Sequence, residues 1–401
     1  MKIVHAADSH VGFRQYGLEE RENDFSDSFR EVIDKTLEIG PDVFVHAGDL
    51  FHYAKPANKH ILEVAQQIKR LMDAGIEVIT TPGNHDKKPT RLDIAPQAVL
   101  ELEGVKVFSY SPDPKPFVID GVEFWGVPNI PNKNILLDFL QKAGERAKRP
   151  AVLVLHQGVQ PVFPMAELFE EDIPEVFSYV ALGHYHISIV RGRFAYPGCP
   201  QVSDVSQQEL KNQKRFIYEV DLQEEGFTLR KHLLTTTRPF LSVESVPETL
   251  LEELEKIKQA VLTSSKKPLL VVKLIVRKGY DQSLLAHALA ESGLKEAFLK
   301  EILQTRLEET PLSRPVDQAQ AQQDILQQLL EGEDRALELA RIMAKAGLDA
   351  RAQLETVSRS ADKERKQIIE EIIRAAKLYL EESEHEIETT ERSELFEPPS
   401  N

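Results

Sequence analysis

The sequence predicts an α/β fold in which two mixed β-sheets pack as a sandwich flanked by helices, followed by a small α+β unit and a helical C-terminal region. Three observations carry that expectation. Over residues 1–235, short β-rich runs alternate with helical stretches. Most of those runs are apolar throughout, as strands buried on both faces must be. Beyond Pro311 the composition turns to Gln, Ala, Glu and Leu, with no strand signal.

Taken in order, strands are predicted at 2–7, 42–47, 77–81, 151–156 and 179–182, with helices at 24–38, 58–72, 91–102 and 134–146. The runs 105–110, 117–119 and 122–126 read as one meander, and 193–196, 216–222 and 227–234 as another. The polar stretch 235–239 ends in proline and reads as a linker. Residues 240–310 then predict a helix at 247–262, a strand at 269–276 and a helix at 281–292. Helical stripes recur at 333–346 (Ala336, Leu337, Leu339, Ala340, Met343) and from Ser360 onward. In the latter, Ile369, Ile372, Ile373, Ala376 and Leu380 share one face. Residues 1–235, 240–310, 311–380 and 381–401 are the expected divisions.

A chain of 401 residues implies two or three domains. No apolar run approaches a membrane span, and the N-terminus lacks a leader pattern. Cys199 is the single cysteine, so neither an internal disulfide nor a thiolate metal site is available. A soluble, cytoplasmic protein is expected. The net charge of −16 argues at first against nucleic acid. Much of it is local, because 381–397 hold eight Glu and one Arg, a tail expected to be solvated and disordered. Acidic clusters can also be metal ligands whose charge bound cations cancel.

The chemistry sits at the ends of the predicted strands. Asp8-Ser9-His10 follows the first, Gly48-Asp49-Leu50-Phe51-His52 the second and Gly83-Asn84-His85-Asp86 the third. His156-Gln157-Gly158 and Gly183-His184-Tyr185-His186 come later. Open α/β sheets place ligands at these carboxyl ends. Six of the twelve histidines fall in these clusters. Imidazole, carboxylate and one amide oxygen, without thiolate, suit Mn²⁺ or Fe²⁺ and less exclusively Zn²⁺. A carboxylate shared from Asp49 could bridge two ions, the arrangement of two-metal phosphoryl chemistry. The glycines beside Asp49, Asn84 and His184 allow tight turns there.

Asp-x-His, Gly-Asp, Gly-Asn-His-Asp, His and Gly-His-x-His, in that order, resemble the calcineurin-like metallophosphoesterase superfamily. The insert Val11 to Phe29, with Arg21, Asp24 and Phe25, narrows the resemblance. So do Gly-Asp-Leu-Phe-His and Leu155-His156-Gln157-Gly158 ahead of Tyr196-Pro197-Gly198. Together they resemble the meiotic-recombination-eleven (SbcD-type) DNA repair nucleases. Cys199 departs from the serine common there and reads as packing.

The resemblance implies two Mn²⁺ ions per subunit. Asp8, His10, Asp49 and His186 would hold one; Asp49, Asn84, His156 and His184 would hold the other. His85 would serve the leaving oxygen without being a ligand, and His52 would place the phosphodiester. It further implies exonuclease action on duplex ends and endonuclease action on single strands. A DNA-binding capping domain at 240–310 and a Rad-fifty/SbcC-type coiled-coil ATPase bound by the C-terminal helices also follow. So does a homodimer through helices 58–72 and 91–102, whose stripes are Ile61, Leu62, Ala65, Ile68, Met72 and Leu92, Ile94, Ala95, Ala98, Val99, Leu102. A phosphatase or phosphodiesterase acting on non-DNA substrates is the alternative, since the metal motif alone does not define the substrate.

Blander roles are assigned elsewhere. His5 and His46 lie inside predicted strands and read as core, as does Trp125. His60, His232, His287 and His385 read as surface or partly buried. Asp86 either orients His85 or closes the turn. Lys87, Lys88, Arg91, Arg14 and Lys55 are candidate phosphate contacts, with a solvated rim as the alternative.

Overall fold

The computed structural model describes residues 1–307, apart from 89–92, 163–165, 167, 277–282 and 296. The C-terminal helices and acidic tail predicted at 311–401 lie outside the described residues.

Two six-stranded mixed sheets form the sandwich. Sheet I runs Phe227–Leu234, Arg215–Leu222, Lys2–Ala6, Val43–His46, Glu77–Thr80 and Lys106–Val107. Its last four strands are mutually parallel and its first two antiparallel. Sheet II runs Ile189–Arg191, Phe194–Tyr196, Tyr179–Gly183, Ala151–His156, Val122–Val127 and Phe117–Ile119, with a parallel centre and an antiparallel strand at each edge.

The apolar strands follow from this layering. Alternate residues face opposite sides of a sheet, and here both sides are cores. Ile3, Val43, Val45 and Ile79 meet Phe124, Val152, Val154 and Ala181 between the sheets. Val4, Ala6 and Phe44 pack outward against Phe29, Val32, Ile33, Val64, Ile68 and Leu71 of helices Glu19–Ile39 and Asn58–Asp73. Helix Lys133–Arg146 covers the far face of sheet II with Leu136, Phe139, Leu140 and Ala143. Each buried Val, Leu, Ile or Phe among them contributes roughly 1.5–3 kcal/mol by leaving water.

Several local expectations need correction. Neither predicted meander forms. Lys106–Val107 joins sheet I by parallel pairing while Phe117–Ile119 and Val122–Val127 belong to sheet II, and 193–196 is likewise parted from 216–222 and 227–234. The helix predicted at 91–102 is a 3₁₀ helix at Pro96–Glu103. Pro96 at its first turn lacks an N–H and holds Ala95 extended, so no α-helix runs through this point. The insert helix starts five residues early, at Glu19, and helix 247–262 divides into a 3₁₀ turn at Pro247–Thr249 and an α-helix at Leu250–Thr263. Strands Phe240–Ser245 and Lys300–Leu307, absent from the prediction, flank Leu269–Val276 in a parallel three-stranded sheet III. That sheet has its own core, including Val243, Leu254, Leu270, Val272, Leu274 and Leu289.

The stretch 235–239 is tied down along its length. Thr235 and Thr236 donate backbone N–H and hydroxyl groups to the Glu31 carboxylate. Arg238 reaches the buried Asp24 carboxylate. Arg21 donates to Asp24 at 2.7 Å, and Lys266 does so at 2.9 Å. The long insert thus meets the entry to sheet III at one buried acid.

His5 and His46 are core residues, as predicted. His5 Nδ1 lies 2.8 Å from the Tyr179 hydroxyl, and His46 Nε2 lies 2.8 Å from Ser9 Oγ. Burial, with the charge of His46 on His5 and of His156 on His46, pushes both from 6.5 to about 3. A depressed pKa means that the unfolded chain takes up protons first as pH falls. The stabilisation is therefore complete above 6.5 and lost towards 3. The His5→Gln variant is expected to lose about 2 kcal/mol less stability than the wild type between pH 7 and pH 5, read from urea unfolding. Equal losses would disprove the assignment.

Candidate metal centre

Sheets I and II bring the carboxyl ends of their parallel strands to one place. Lys2–Ala6 delivers Asp8 and His10, Val43–His46 delivers Asp49 and His52, and Glu77–Thr80 delivers Asn84 and His85. From sheet II come His156, at the end of its strand, and His184 and His186 just beyond Gly183.

The turns that do this are strained. Asp8, His10, Asp49 and His184 have φ of 55°, 45°, 51° and 87°, left-handed values that side chains with a Cβ rarely adopt. Such residues cost about 1–3 kcal/mol each and persist where packing over-determines them. The neighbouring glycines serve close approach as well as turning. A Cβ on Gly83 would lie 2.0 Å from Asp49 Oδ1, and one on Gly183 would lie 2.0 Å from the Ala47 carbonyl oxygen.

All seven predicted ligands converge. His10 Nε2 and His186 Nε2 are 3.3 Å apart. Asn84 Oδ1 lies 2.9 Å from His156 Nε2 and 3.0 Å from His184 Nδ1. A single oxygen, Asp49 Oδ2, faces both groups, at 3.7 Å from His10 Nε2 and 3.3 Å from His156 Nε2. Asp8 lies 3.9 Å from His156 Nδ1 and 4.0 Å from His186 Nε2, and accepts the backbone N–H of His184. Asp8 and Asp49 are buried, and among the described residues only histidines come within ion-pairing distance of them. Lone-pair donors crowded around two buried carboxylates fit divalent cations. The triads Asp8–His10–His186 and Asp8–Asp49–His156 each place three ligand atoms within 4.8 Å of one another.

Electrostatics agree. Burial raises Asp8, reinforced by Asp49 and opposed by His156 and His186. Burial also works against the Asp49 carboxylate, yet the charge and hydrogen bond of His156 hold it well below the usual range. His156 in turn is pushed up to about 9 by Asp49, against its own burial. Burial and the neighbouring His156 push His184 down to about 4, and burial with His85 does the same to His52. A cation between these groups would displace the His156 proton and satisfy both carboxylates.

His52 and His85 stand on the rim. His52 stacks on Phe13 at 3.7 Å between ring centres, and its Nδ1 lies 3.2 Å from His10 Nδ1. His85 Nδ1 is 3.2 Å from the His52 carbonyl oxygen, while its backbone N–H donates to Asp49 Oδ1 at 2.9 Å. Asp86 accepts from the backbone N–H groups of Phe51 and Gly83, so it closes the turn. Burial, with nearby Asp49, pushes Asp86 up to about 7.

Among the candidate phosphate contacts, Lys87 and Lys88 are exposed, Arg14 lies near Glu19 and Glu22, and Lys55 lies 4.0 Å from Asp93. Arg91 lies outside the described residues. Trp125 and Cys199 are buried, and Trp125 Nε1 donates to Glu123. Ser203, Glu209 and Arg215, which belong to none of the sequence motifs, surround His186. Nothing in their spacing relates them to the histidine motifs.

Residues 1–188 match the family model described as calcineurin-like phosphoesterase, and the two sheets flanked by helices are that metallophosphoesterase fold. Relatives narrow the class. "DNA double-strand break repair protein Mre11" of Thermoplasma acidophilum is 30% identical over 283 residues, covering 66% of this chain and 74% of that protein. The chain belongs to the Mre11 family. The Mre11 protein of Methanocaldococcus jannaschii is 37% identical over 55% of this chain and 62% of its own length, and that of Saccharolobus solfataricus 35% over 46% and 49%. The chain thus spans about half to two-thirds of the length of these last two. No helix among the described residues is long and apolar enough to cross a membrane.

Proposed function

We propose that this chain is a Mn²⁺-dependent DNA nuclease of double-strand-break repair, cutting duplex ends exonucleolytically and single strands endonucleolytically. The observation that carries the reading is the convergence of seven ligand side chains from two sheets, with two further histidines on their rim. Family membership supports DNA as the substrate. Asp8, His10, Asp49 and His186 would hold one cation and Asp49, Asn84, His156 and His184 the other. Two bound cations would supply Lewis-acid stabilisation of the phosphodiester and a water made nucleophilic at neutral pH. Asp49 Oδ2, facing both groups, suits a bridging role. With Nδ1 of His85 engaged by a carbonyl, its Nε2 is left to hold or deliver a proton at the leaving oxygen. His52, clamped by Phe13, would place the phosphodiester. Sheet III and its helices would cap the DNA, and a cytoplasmic, nucleoid-associated location would follow.

The deciding experiment is release of nucleotides from duplex DNA in Mn²⁺, run beside a generic phosphodiester. Turnover of the small ester with DNA left intact would favour a phosphatase or non-DNA phosphodiesterase instead.

Two partners complete the proposal. Ile61, Ala65, Ile68 and Met72 pack on this chain's own sheet I, but Leu62 on helix Asn58–Asp73, Ile94 just ahead of the 3₁₀ segment, and Val99 and Leu102 on it remain exposed, while Leu92 lies outside the described residues. A second copy would cover them. Leu62→Glu with Leu102→Glu is expected to convert a dimer to a monomer in light scattering; a wild-type mass that stays monomeric at all concentrations would rule the dimer out. The helices predicted within 311–380 would bind the Rad-fifty/SbcC-type ATPase, ahead of an acidic tail at 381–401. Truncation after about Gln353, or Glu at Ile369, Ile372 and Ile373, is expected to abolish ATPase binding while Mn²⁺-dependent activity persists. Full co-purification of the truncated chain would refute this.

A further inference from the structure

We propose that Glu209, acting through Ser203, is the positioning residue for the metal ligand His186 and sets the affinity of one of the two cation positions. The inference rests on the two-cation reading above and adds residues outside the matched segment 1–188.

The geometry forms a directed chain. Ser203 Oγ lies 2.5 Å from His186 Nδ1 and donates its own proton to Glu209 Oε1 at 2.6 Å. Ser203 therefore accepts from Nδ1–H, and the Nε2 lone pair of His186 is turned towards Asp8 and His10. Glu209 Oε1 is itself 3.3 Å from Nδ1, a second acceptor for the same proton. Its other oxygen takes Arg215 Nη2 at 2.7 Å and the Ser203 backbone N–H at 3.1 Å. Arg215 then donates from Nη1 to the His186 carbonyl oxygen at 2.7 Å. One buried ion pair thus holds both the ring and the backbone of His186.

Comparison with the other ligands explains why this one depends on a carboxylate. His156 rests its Nδ1 on the Ala47 carbonyl at 2.9 Å, an acceptor that no side-chain change removes. His10 has His52 behind it. His186 sits past the end of its strand, where no backbone acceptor is provided for its ring among the contacts described, and a carboxylate behind an imidazole both fixes the tautomer and raises ligand basicity. The segment bearing Glu209 is itself anchored. Gln213 donates to the Phe240 carbonyl at 2.7 Å and accepts the Phe240 N–H at 2.9 Å, at the start of sheet III.

The test is a Mn²⁺ titration of the full-length chain, following the electron paramagnetic resonance of free Mn²⁺, for wild type, Glu209→Gln and Glu209→Ala. Wild type is expected to take up two ions. Each variant should bind one of them about 10–100-fold more weakly, with the other little changed. Long-range ¹H–¹⁵N spectra of the metal-free protein should show the Nδ1–H tautomer of His186 in wild type and a mixture in Glu209→Gln. Should Glu209→Ala fail to fold, the isosteric Gln variant decides. Wild-type affinity at both positions in a variant whose melting temperature alone has fallen would reduce Glu209 to a packing role and overturn the proposal. A wild-type chain that binds no Mn²⁺ would instead overturn the two-cation reading, and this inference with it.

Discussion

His85→Asn is expected to retain both Mn²⁺ ions while nuclease activity falls by about 10²–10⁴-fold, the usual worth of a positioned proton donor. The contact that ties this turn to the Asp49 carboxylate is the backbone N–H of His85 on Asp49 Oδ1, which the substitution leaves in place. Asp49→Ala is the matched control. It removes the one oxygen that faces both His10 and His156, so at least one ion should be lost. The comparison has force because His85, His10 and His52 also form a cluster whose nitrogens lie close enough to share a cation. Equal loss of metal in the two variants, measured by inductively coupled plasma analysis after gel filtration, would make His85 a ligand and remove its assigned role.

Asp24→Ala should destabilise the folded chain by about 3–5 kcal/mol, the cost of breaking a buried ion pair and leaving its charges uncompensated. Arg21, Arg238 and Lys266 converge on this carboxylate, and Arg21 and Arg238 are themselves buried. Burial works against the ionised acid, but Arg238 and Arg21 hold its pKa below 3.8. A depressed acid stabilises the fold fully above 3.8, and that contribution is lost as pH falls through the folded value. The deficit of the variant should therefore be present throughout neutral pH. Urea unfolding at pH 7 measures it, and a change under 1 kcal/mol would mean that the three cations are satisfied without the acid.

The candidate metal ligands were legible because each lies beside a strand whose local pattern is strong. Apolar runs such as 43–45 and 151–155 announce buried strands, and Asp-x-His or Gly-Asn-His-Asp at their ends needs no tertiary information to be seen. The residues also carried the two-sheet class, since strands buried on both faces require cores on both sides. Sheet membership did not follow. Lys106–Val107 and Phe117–Ile119 are near neighbours in sequence yet pair in different sheets, because inter-strand hydrogen bonding is satisfied across space and leaves no periodic trace. Strand Lys300–Leu307 went unread for a related reason: its alternation is blurred by Lys300, Glu301, Gln304 and Arg306, and its pairing with Leu269–Val276 defines it. Contacts of buried charged groups are hidden most completely. Glu209 meets His186 across 23 residues, and Asp24 meets Arg238 across 214. A charged residue in a polar stretch looks solvent-exposed in one dimension. Only the packed chain buries it, and burial is what turns an ordinary carboxylate into a group that must find its partner.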